Sequence, residues 1–214
     1  MWNKMHVWLG VAVMMMGASM VQAADSLPGD PAAGEAKAGL CGGCHGFDGN
    51  SEDATFPRLA GQYANYIAKQ IRDFQRGLRT NNETMAGMAA MVESEQDARD
   101  IGSYFQKQKM AKAPLSAADK KLVEQGEKIF YQGNPKTNVY ACVNCHGERG
   151  RGKAPNVAVF PVIGGQHRDY LLKQLNNFRA GERSNDPAGM MSDIAKSLSE
   201  EEMQAVTAYL SSLL

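Results

Sequence analysis

The sequence has 214 residues, and its 23 lysines and arginines are balanced by 23 aspartates and glutamates, so the formal net charge is zero. No block of Lys or Arg stands out, and this argues against a nucleic-acid-binding protein. On length alone the chain suits one large domain or two small ones.

The first 23 residues have the pattern of a secretory signal peptide. Lys4 is followed by an apolar run over residues 7–16, and Val21 and Ala23 place small residues before a cleavage point. A retained membrane anchor is the alternative, but the run is shorter than the roughly 20 residues that a spanning helix needs. We therefore expect cleavage after Ala23, export to the periplasm, and a mature chain without a transmembrane segment. Peripheral association with a membrane stays compatible with this.

The pattern Cys-x-x-Cys-His occurs twice, as CGGCH at residues 41–45 and as CVNCH at residues 142–146. It is the attachment signature of c-type haem, in which two thiols form thioethers and the adjacent His ligates the iron. A thioredoxin-like redox pair and half of a zinc knuckle are the competing interpretations, and a redox pair leaves the trailing His unexplained. The two motifs use all the cysteines and predict two covalent haem groups, with thioether positions Cys41, Cys44, Cys142 and Cys145 and proximal ligands His45 and His146.

The second part of the chain repeats the first. The segment FPRLAGQ at residues 56–62 recurs as FPVIGGQ at residues 160–166, and the match continues without a gap to Asn81 and Asn185. We interpret this as a tandem duplication of two domains, residues 24–113 and 114–214. The segment 107–118 is predicted to be a short linker, with the boundary near Pro114.

The pattern of apolar residues predicts an all-α fold, because no stretch alternates as a sheet requires. Helices are expected over residues 32–41, 63–76, 119–131 and 167–180. Gly77 and Gly181 are expected as C-caps, and the last helix of each half is expected to begin at Ser94 and Ser199. Ser199 and Glu202 have the spacing of a capping box. The segments between the middle and last helices are predicted to be Met-rich loops.

A haem iron bound by one His needs a second axial ligand from the distal side, unless the site binds a substrate. His6 leaves with the signal peptide, and His167 alone cannot serve two haems, so we interpret His167 as a surface or helix-start residue. Methionine is the other common partner of a His-ligated haem. Alignment of the two Met-rich segments favours Met85 and Met191, with Met88 as a live alternative to the first and Met190 as a weaker alternative to the second.

Such a His/Met pair closes both axial positions, which is typical of an electron carrier rather than a catalyst. A proximal His normally donates its second ring N–H to an acceptor, and Pro57 and Pro161 are well placed to supply a carbonyl. Arg79 and Arg183 are candidates for neutralising haem propionates, with solvated helix ends as the alternative.

The two haem motifs, the paired Phe-Pro…Gly-Gln-x-x-x-Tyr segments and the two Met-rich segments together resemble the dihaem cytochromes c4 over the whole mature chain. The resemblance implies two class I cytochrome c domains related by a pseudo-twofold axis, with the propionate edges of the haems facing each other. It also implies that the carbonyls of Pro57 and Pro161 accept from the proximal histidines, and that Met85 and Met191 are the axial ligands.

We expect a periplasmic electron-transfer protein rather than an enzyme, with redox proteins as partners. A quinol-oxidising complex is the expected donor, and a terminal oxidase or reductase is the expected acceptor. A dihaem peroxidase, which needs one open haem, and the cytochrome subunit of a flavocytochrome complex are the alternatives.

Overall fold

The computed structural model describes residues 28–111, 120–153, 155 and 157–213. Within them the chain is helical, and an isolated bridge between Asn134 and Val139 is the only β pairing, which confirms the all-α prediction. The predicted signal peptide and the boundary near Pro114 lie outside the described residues. The helices are α1 (Pro31–His45), α2 (Ala64–Gln75), α3 (Glu83–Ala90), α4 (Glu95–Lys107), α5 (Lys120–Gln132), α6 (Val143–His146), α7 (Arg168–Ala180), α8 (Met190–Ser197) and α9 (Glu200–Ser211).

Local capping explains where several helices begin. The Asp30 side chain accepts from the backbone N–H of Ala32 at the start of α1, and Pro31 occupies the first turn. Ser94 caps α4, and the capping box of Ser199 and Glu202 is present at the start of α9. The predicted starts at Ser94 and Ser199 are therefore confirmed.

Each half packs its first helix across its last helix. In the first half α1 crosses α4, and in the second half α5 crosses α9. Glycines make these crossings possible: a Cβ built on Gly34 would lie 2.0 Å from the carbonyl oxygen of Asp100, and one on Gly126 would lie 2.0 Å from that of Ala205. The helix backbones therefore touch directly at equivalent points in the two halves.

The middle helices complete the two cores. Ile67, Ile71 and Phe74 of α2 are buried against α4, while Leu171 and Phe178 of α7 are buried beside α9. These residues recur at helical spacing, so one face of each middle helix is apolar and buried. No helix among the described residues has the length and apolar character needed to span a bilayer.

The prediction of Met-rich loops before the last helices is wrong, because both segments are short helices, α3 and α8. In α3 the Asn82 side chain accepts from the backbone N–H of Met85 at 2.9 Å, which starts the helix. The following Met and Ala residues have high helix propensity. The sequence pattern suggested a loop because each helix is only eight residues long.

Candidate haem centres

The two Cys-x-x-Cys-His motifs lie on helical turns, as their spacing predicts. Cys41, Cys44 and His45 form the last turn of α1, and the second motif includes the short helix α6. His45 and His146 are 5% and 7% exposed, so both imidazoles point into the protein. In each half the first cysteine is half-buried and the second is exposed.

A cavity of about 370 Å³ is lined by residues of both motifs. It is lined mainly by apolar side chains from both halves, as a large flat cofactor requires. The predicted attachment and ligand residues all line it: Cys41, Cys44, His45, Met85, Met88, Cys142, Cys145, His146, Met190 and Met191. The structure therefore brings together in each half two thiols, one imidazole and the candidate thioethers.

Both proximal imidazoles are held by a proline carbonyl. His45 Nδ1 lies 2.8 Å from the oxygen of Pro57, and His146 Nδ1 lies 3.0 Å from the oxygen of Pro161. A carbonyl can only accept, so Nδ1 carries the proton and Nε2 keeps its lone pair. Burial lowers the pKa of both histidines, while the proline carbonyls act in the opposite direction. The rings are therefore neutral and oriented, which is the form that binds iron.

The first thiol of each motif lies in an apolar environment. Burial, with a smaller contribution from the neighbouring thiol, raises the pKa of Cys41 to about 11. Burial is also the main reason why the pKa of Cys142 is raised to about 12. A thioredoxin-like pair needs the opposite shift, because its attacking sulfur must be a thiolate. These surroundings suit a thioether beside a porphyrin and disfavour a dithiol redox centre.

The distal methionines can be compared through the helices that carry them. Ala89 of α3 and Ala195 of α8 are 2% and 0% exposed, and each is the only buried residue of its helix. With these two alanines as equivalents, Met85 corresponds to Met191, and Met88 corresponds to Ile194. The pattern of burial thus gives the same alignment as the sequence does.

Hydrogen bonds from the middle helices support the same alignment of α3 with α8. Gln75 on α2 donates from Nε2 to the carbonyls of Ala89 and Val92, at 3.0 and 2.8 Å. Arg179, at the equivalent place on α7, donates to the carbonyls of Ala195 and Leu198, at 3.2 and 2.7 Å. Two unrelated side chains therefore hold the two short helices in the same register.

Met85 and Met191 also pack against the cores of their halves. Met190 is 38% exposed, and Met91 is 60% exposed and does not line the cavity. Met88 does line the cavity, so the structure retains it as the alternative at the first centre.

The two candidate propionate partners are buried between the halves. Arg79 and Arg183 are each 6% exposed, so the alternative of a solvated helix end is wrong for both. Arg79 donates to Gln174 and Tyr170 of the second half, and Arg183 donates to Gln70 and Tyr66 of the first. The sequence could not show this because each partner lies about 90 to 120 residues away along the chain.

This arginine pair creates a positive region. Neither guanidinium forms an ion pair with a carboxylate in the described part of the chain. Burial raises the pKa of Tyr170, but the charges of Arg79 and Arg183 outweigh it and hold that pKa below its ordinary value. A buried cation without an ion-paired carboxylate is costly, so these residues fit a cofactor that carries acidic groups.

His167 is the N-cap residue of α7, which confirms its place at a helix start. Its side chain is half-buried, and its Nε2 lies 2.9 Å from the backbone oxygen of Ser51 in the other half. The equivalent Tyr63 donates from its hydroxyl to the carbonyl oxygen of Arg151, also at 2.9 Å. Residues of different type thus make corresponding contacts across the interface.

Sequence reasoning assigned no role to Gln62 and Gln166, although both belong to the repeated segment. Each is 6% exposed and hydrogen-bonded to backbone atoms of the opposite half. A polar residue that recurs at the same place in both repeats is the signal that could have identified them.

The chain is similar to known proteins over most of its length. The cytochrome c family model matches residues 123–214. Cytochrome c4 of Thiocapsa roseopersicina is 46% identical over 193 residues, covering 90% of this chain and 97% of the relative. A thiosulfate dehydrogenase electron acceptor of Stutzerimonas stutzeri is 35% identical over 202 residues, covering 94% and 91% of the two chains. The crystal structure of reduced recombinant cytochrome c4 from Pseudomonas stutzeri has a TM-score of 0.78 and 39% identity, covering 87% of this chain and 100% of that one.

Proposed function

The chain belongs to the cytochrome c4 family, and on this premise we propose that it carries electrons in the periplasm through two His/Met-ligated haems. That it is a dihaem c-type cytochrome of electron transfer follows from the family. The finer assignment of the ligands, the compartment and the partners is our proposal.

In each half, different residues have different roles in holding a haem. Cys41 and Cys44, or Cys142 and Cys145, would attach it through thioethers, and the neighbouring His would ligate its iron through Nε2. The proline carbonyl keeps the imidazole neutral and in one orientation. When bound, the cofactor supplies a metal that alternates between the ferrous and ferric states.

The observation that carries the proposal is the position of the two methionines. Met85 and Met191 occupy equivalent places on α3 and α8, and both line the cavity that contains the proximal histidines. A thioether in the sixth position favours ferrous iron and raises the reduction potential. It also leaves no open position for peroxide or oxygen, so the function supported is electron transfer.

An oxidised-state absorption spectrum tests this proposal. Two His/Met centres are expected to show the weak far-red methionine-to-iron band with an intensity that corresponds to two haems. The ferrous protein is expected to bind carbon monoxide slowly or not at all at neutral pH. Rapid carbon monoxide binding to one intact haem, together with turnover of hydrogen peroxide, would instead support the dihaem peroxidase.

The partners and the location are further parts of the proposal. We propose a quinol-oxidising complex as the donor and a terminal oxidase or reductase as the acceptor. The name of the Stutzerimonas stutzeri relative adds a second candidate donor, a thiosulfate-oxidising dehydrogenase. Electron transfer from each purified donor, followed by stopped-flow absorbance, distinguishes them, and co-purification would reveal a subunit of a larger complex such as a flavocytochrome. Mass spectrometry of the exported protein tests cleavage after Ala23.

A further inference from the structure

Two buried glutamines pair the halves of the molecule in a reciprocal way. Gln166 accepts from the backbone N–H of Arg58 at 2.8 Å and donates to the carbonyl oxygen of the same residue at 2.9 Å. Gln62 accepts from the N–H of Val162 at 3.0 Å and donates to its carbonyl oxygen at 2.7 Å. Each side-chain amide therefore binds both backbone groups of one residue in the other half.

The residues that these amides bind directly follow the prolines that hold the proximal histidines. The N–H of Arg58 belongs to the same peptide group as the carbonyl of Pro57, which accepts from His45. The N–H of Val162 likewise shares a peptide group with the carbonyl of Pro161, which accepts from His146. Two continuous chains of hydrogen bonds result, each running from a glutamine in one half to a proximal imidazole in the other.

The glutamines are themselves held in place. Gln62 Oε1 also accepts from the N–H of Tyr63, and Gln166 Oε1 accepts from the N–H of His167, both at 3.0 Å. These donors lie at the starts of α2 and α7, where backbone N–H groups lack helical partners. The orientation of each amide is therefore set by its own half, while the backbone groups that it binds belong to the opposite half.

We propose that Gln62 and Gln166 are positioning residues that act across the interface, Gln62 on the haem ligated by His146 and Gln166 on the haem ligated by His45. The inference rests on the proposed function, in that each histidine is an iron ligand. The interface then adjusts the reduction potential of each haem through the opposite half, in addition to holding the two halves together.

The direction of the effect follows from polarisation along the hydrogen-bond chain. An acceptor on the peptide N–H increases the negative charge on the carbonyl oxygen of the same peptide, which then accepts more strongly from Nδ1–H. A more strongly bonded Nδ1–H makes the imidazole a better donor to iron, which favours the ferric state. Loss of the glutamine should therefore raise the reduction potential of the opposite haem.

The experiment compares Gln62→Leu with Gln166→Leu in the full-length holoprotein. A redox titration followed by NMR, using the hyperfine-shifted haem methyl resonances, reports each haem separately. We expect Gln62→Leu to lower the ratio of oxidised to reduced His146 haem at a fixed poise by roughly twofold, with a smaller change at the His45 haem. Gln166→Leu should give the mirror-image result.

A second measurement does not depend on potentials. In the ferrous protein the Nδ1–H resonance of the proximal histidine should move upfield in the opposite half, because its hydrogen bond is weaker. Tyr63→Phe is the matched control, since it removes one hydrogen bond across the same interface, that to Arg151, without touching either proline peptide. It should leave both Nδ1–H resonances and both potentials close to those of the parent.

Equal changes at both haems, a change only in the half that carries the mutation, or no change in either readout would overturn the inference. The same shift in Tyr63→Phe would also overturn the inference, because a general loosening of the interface would then be sufficient to explain it. Failure of the proposed function is separate: it would appear in the unmutated protein as a missing methionine-to-iron band. Circular dichroism and haem content confirm that each variant is folded.

Discussion

The distal ligand of the first haem depends on a choice between two methionines one helical turn apart. Met85 and Met88 both line the cavity, and only Met85 has a methionine at the equivalent position of the other half. Ala89 and Ala195 define that equivalence through burial, and Gln75 and Arg179 define it through hydrogen bonds. Met85 is therefore the ligand that the symmetry of the two halves favours.

Replacing Met85 with Leu should remove the part of the far-red band that belongs to one haem, because leucine has no sulfur lone pair for iron. The affected ferrous haem should then bind carbon monoxide rapidly. Met88→Leu is the matched control and should keep both bands. The reverse outcome, with the band lost only in Met88→Leu, would assign the ligand to Met88.

Asp100 is a buried carboxylate near the crossing of the first and last helices in the first half. It is 3% exposed and accepts hydrogen bonds from the backbone N–H of Asp30, from Lys37 and from Gln96. Burial alone raises the pKa of Asp100, but these hydrogen bonds, with that from Lys37 the largest, outweigh burial and lower it overall. The ionised carboxylate is thus the form that the fold stabilises.

Asp100→Asn should reduce the free energy of unfolding by about 1–3 kcal/mol at pH 7, because charge-assisted hydrogen bonds are lost. The folded-state pKa lies below the unfolded one, so the stabilisation is present above the unfolded pKa and is lost as the pH falls through the folded value. Denaturant unfolding of both proteins between pH 7 and pH 3 measures this. A difference that stays constant down to about pH 3 would contradict an electrostatic origin.

At the scale of helices, the two halves are built on the same crossing. Gly34 in α1 meets the backbone of α4, and Gly126 in α5 meets that of α9. Side chains other than hydrogen would push these backbones apart, because the contact is with a carbonyl oxygen rather than with a movable side-chain end. The haem motif of the first half lies in the last turn of α1, so this crossing also positions Cys41 and His45.

Gly34→Ala should therefore destabilise the protein by about 1–3 kcal/mol through overpacking. Gly39→Ala is the control in the same helix: Gly39 is exposed, and a Cβ there meets nothing within 4 Å. That change should be neutral or should stabilise by about 0.5–1 kcal/mol, because alanine favours the helix more than glycine does. Thermal unfolding of the two holoproteins compares them, and equal stabilities would argue against a close backbone contact.

At the scale of the whole molecule, the interface between the halves combines hydrogen bonds to backbone groups with two buried arginines. Arg79 and Arg183 stack over Phe74 and Phe178, with the guanidinium carbon 4.6 and 4.5 Å from the ring centres. Each then reaches a glutamine of the opposite half. The two arginines are thus fixed at the interface between the halves.

Arg79→Gln should lower the mean reduction potential of the two haems, because the loss of a positive charge favours the ferric state. The effect should be on the order of 1 kcal/mol in redox free energy at an effective dielectric constant of about 20. Arg76→Gln is the control, since the Arg76 side chain is 61% exposed and pairs with Glu95 at the surface. Potentiometric titration measures both, and equal shifts in the two variants would contradict a special role for Arg79.

Much of the protein could be predicted from local patterns in the sequence. The haem motifs, the helical class and the caps at Ser94 and Ser199 all depend on residues a few positions apart, and the repeat is visible as the same short segments occurring twice. Their physical basis is the geometry of a helical turn and the need of its first N–H groups for acceptors. The short helices α3 and α8 were not recognised, because eight residues contain too little periodicity to separate a helix from a loop.

By itself, the sequence determined that two copies of one haem-binding unit exist and which cysteines and histidines belong to them. Only the tertiary structure decided how the copies act on each other: that Arg79 and Arg183 are buried, that His167 contacts Ser51, and that Gln62 and Gln166 reach the prolines of the opposite half. These contacts join residues about 90 to 120 positions apart. Docking of two folded surfaces creates them, and no short-range pattern in the chain encodes that event.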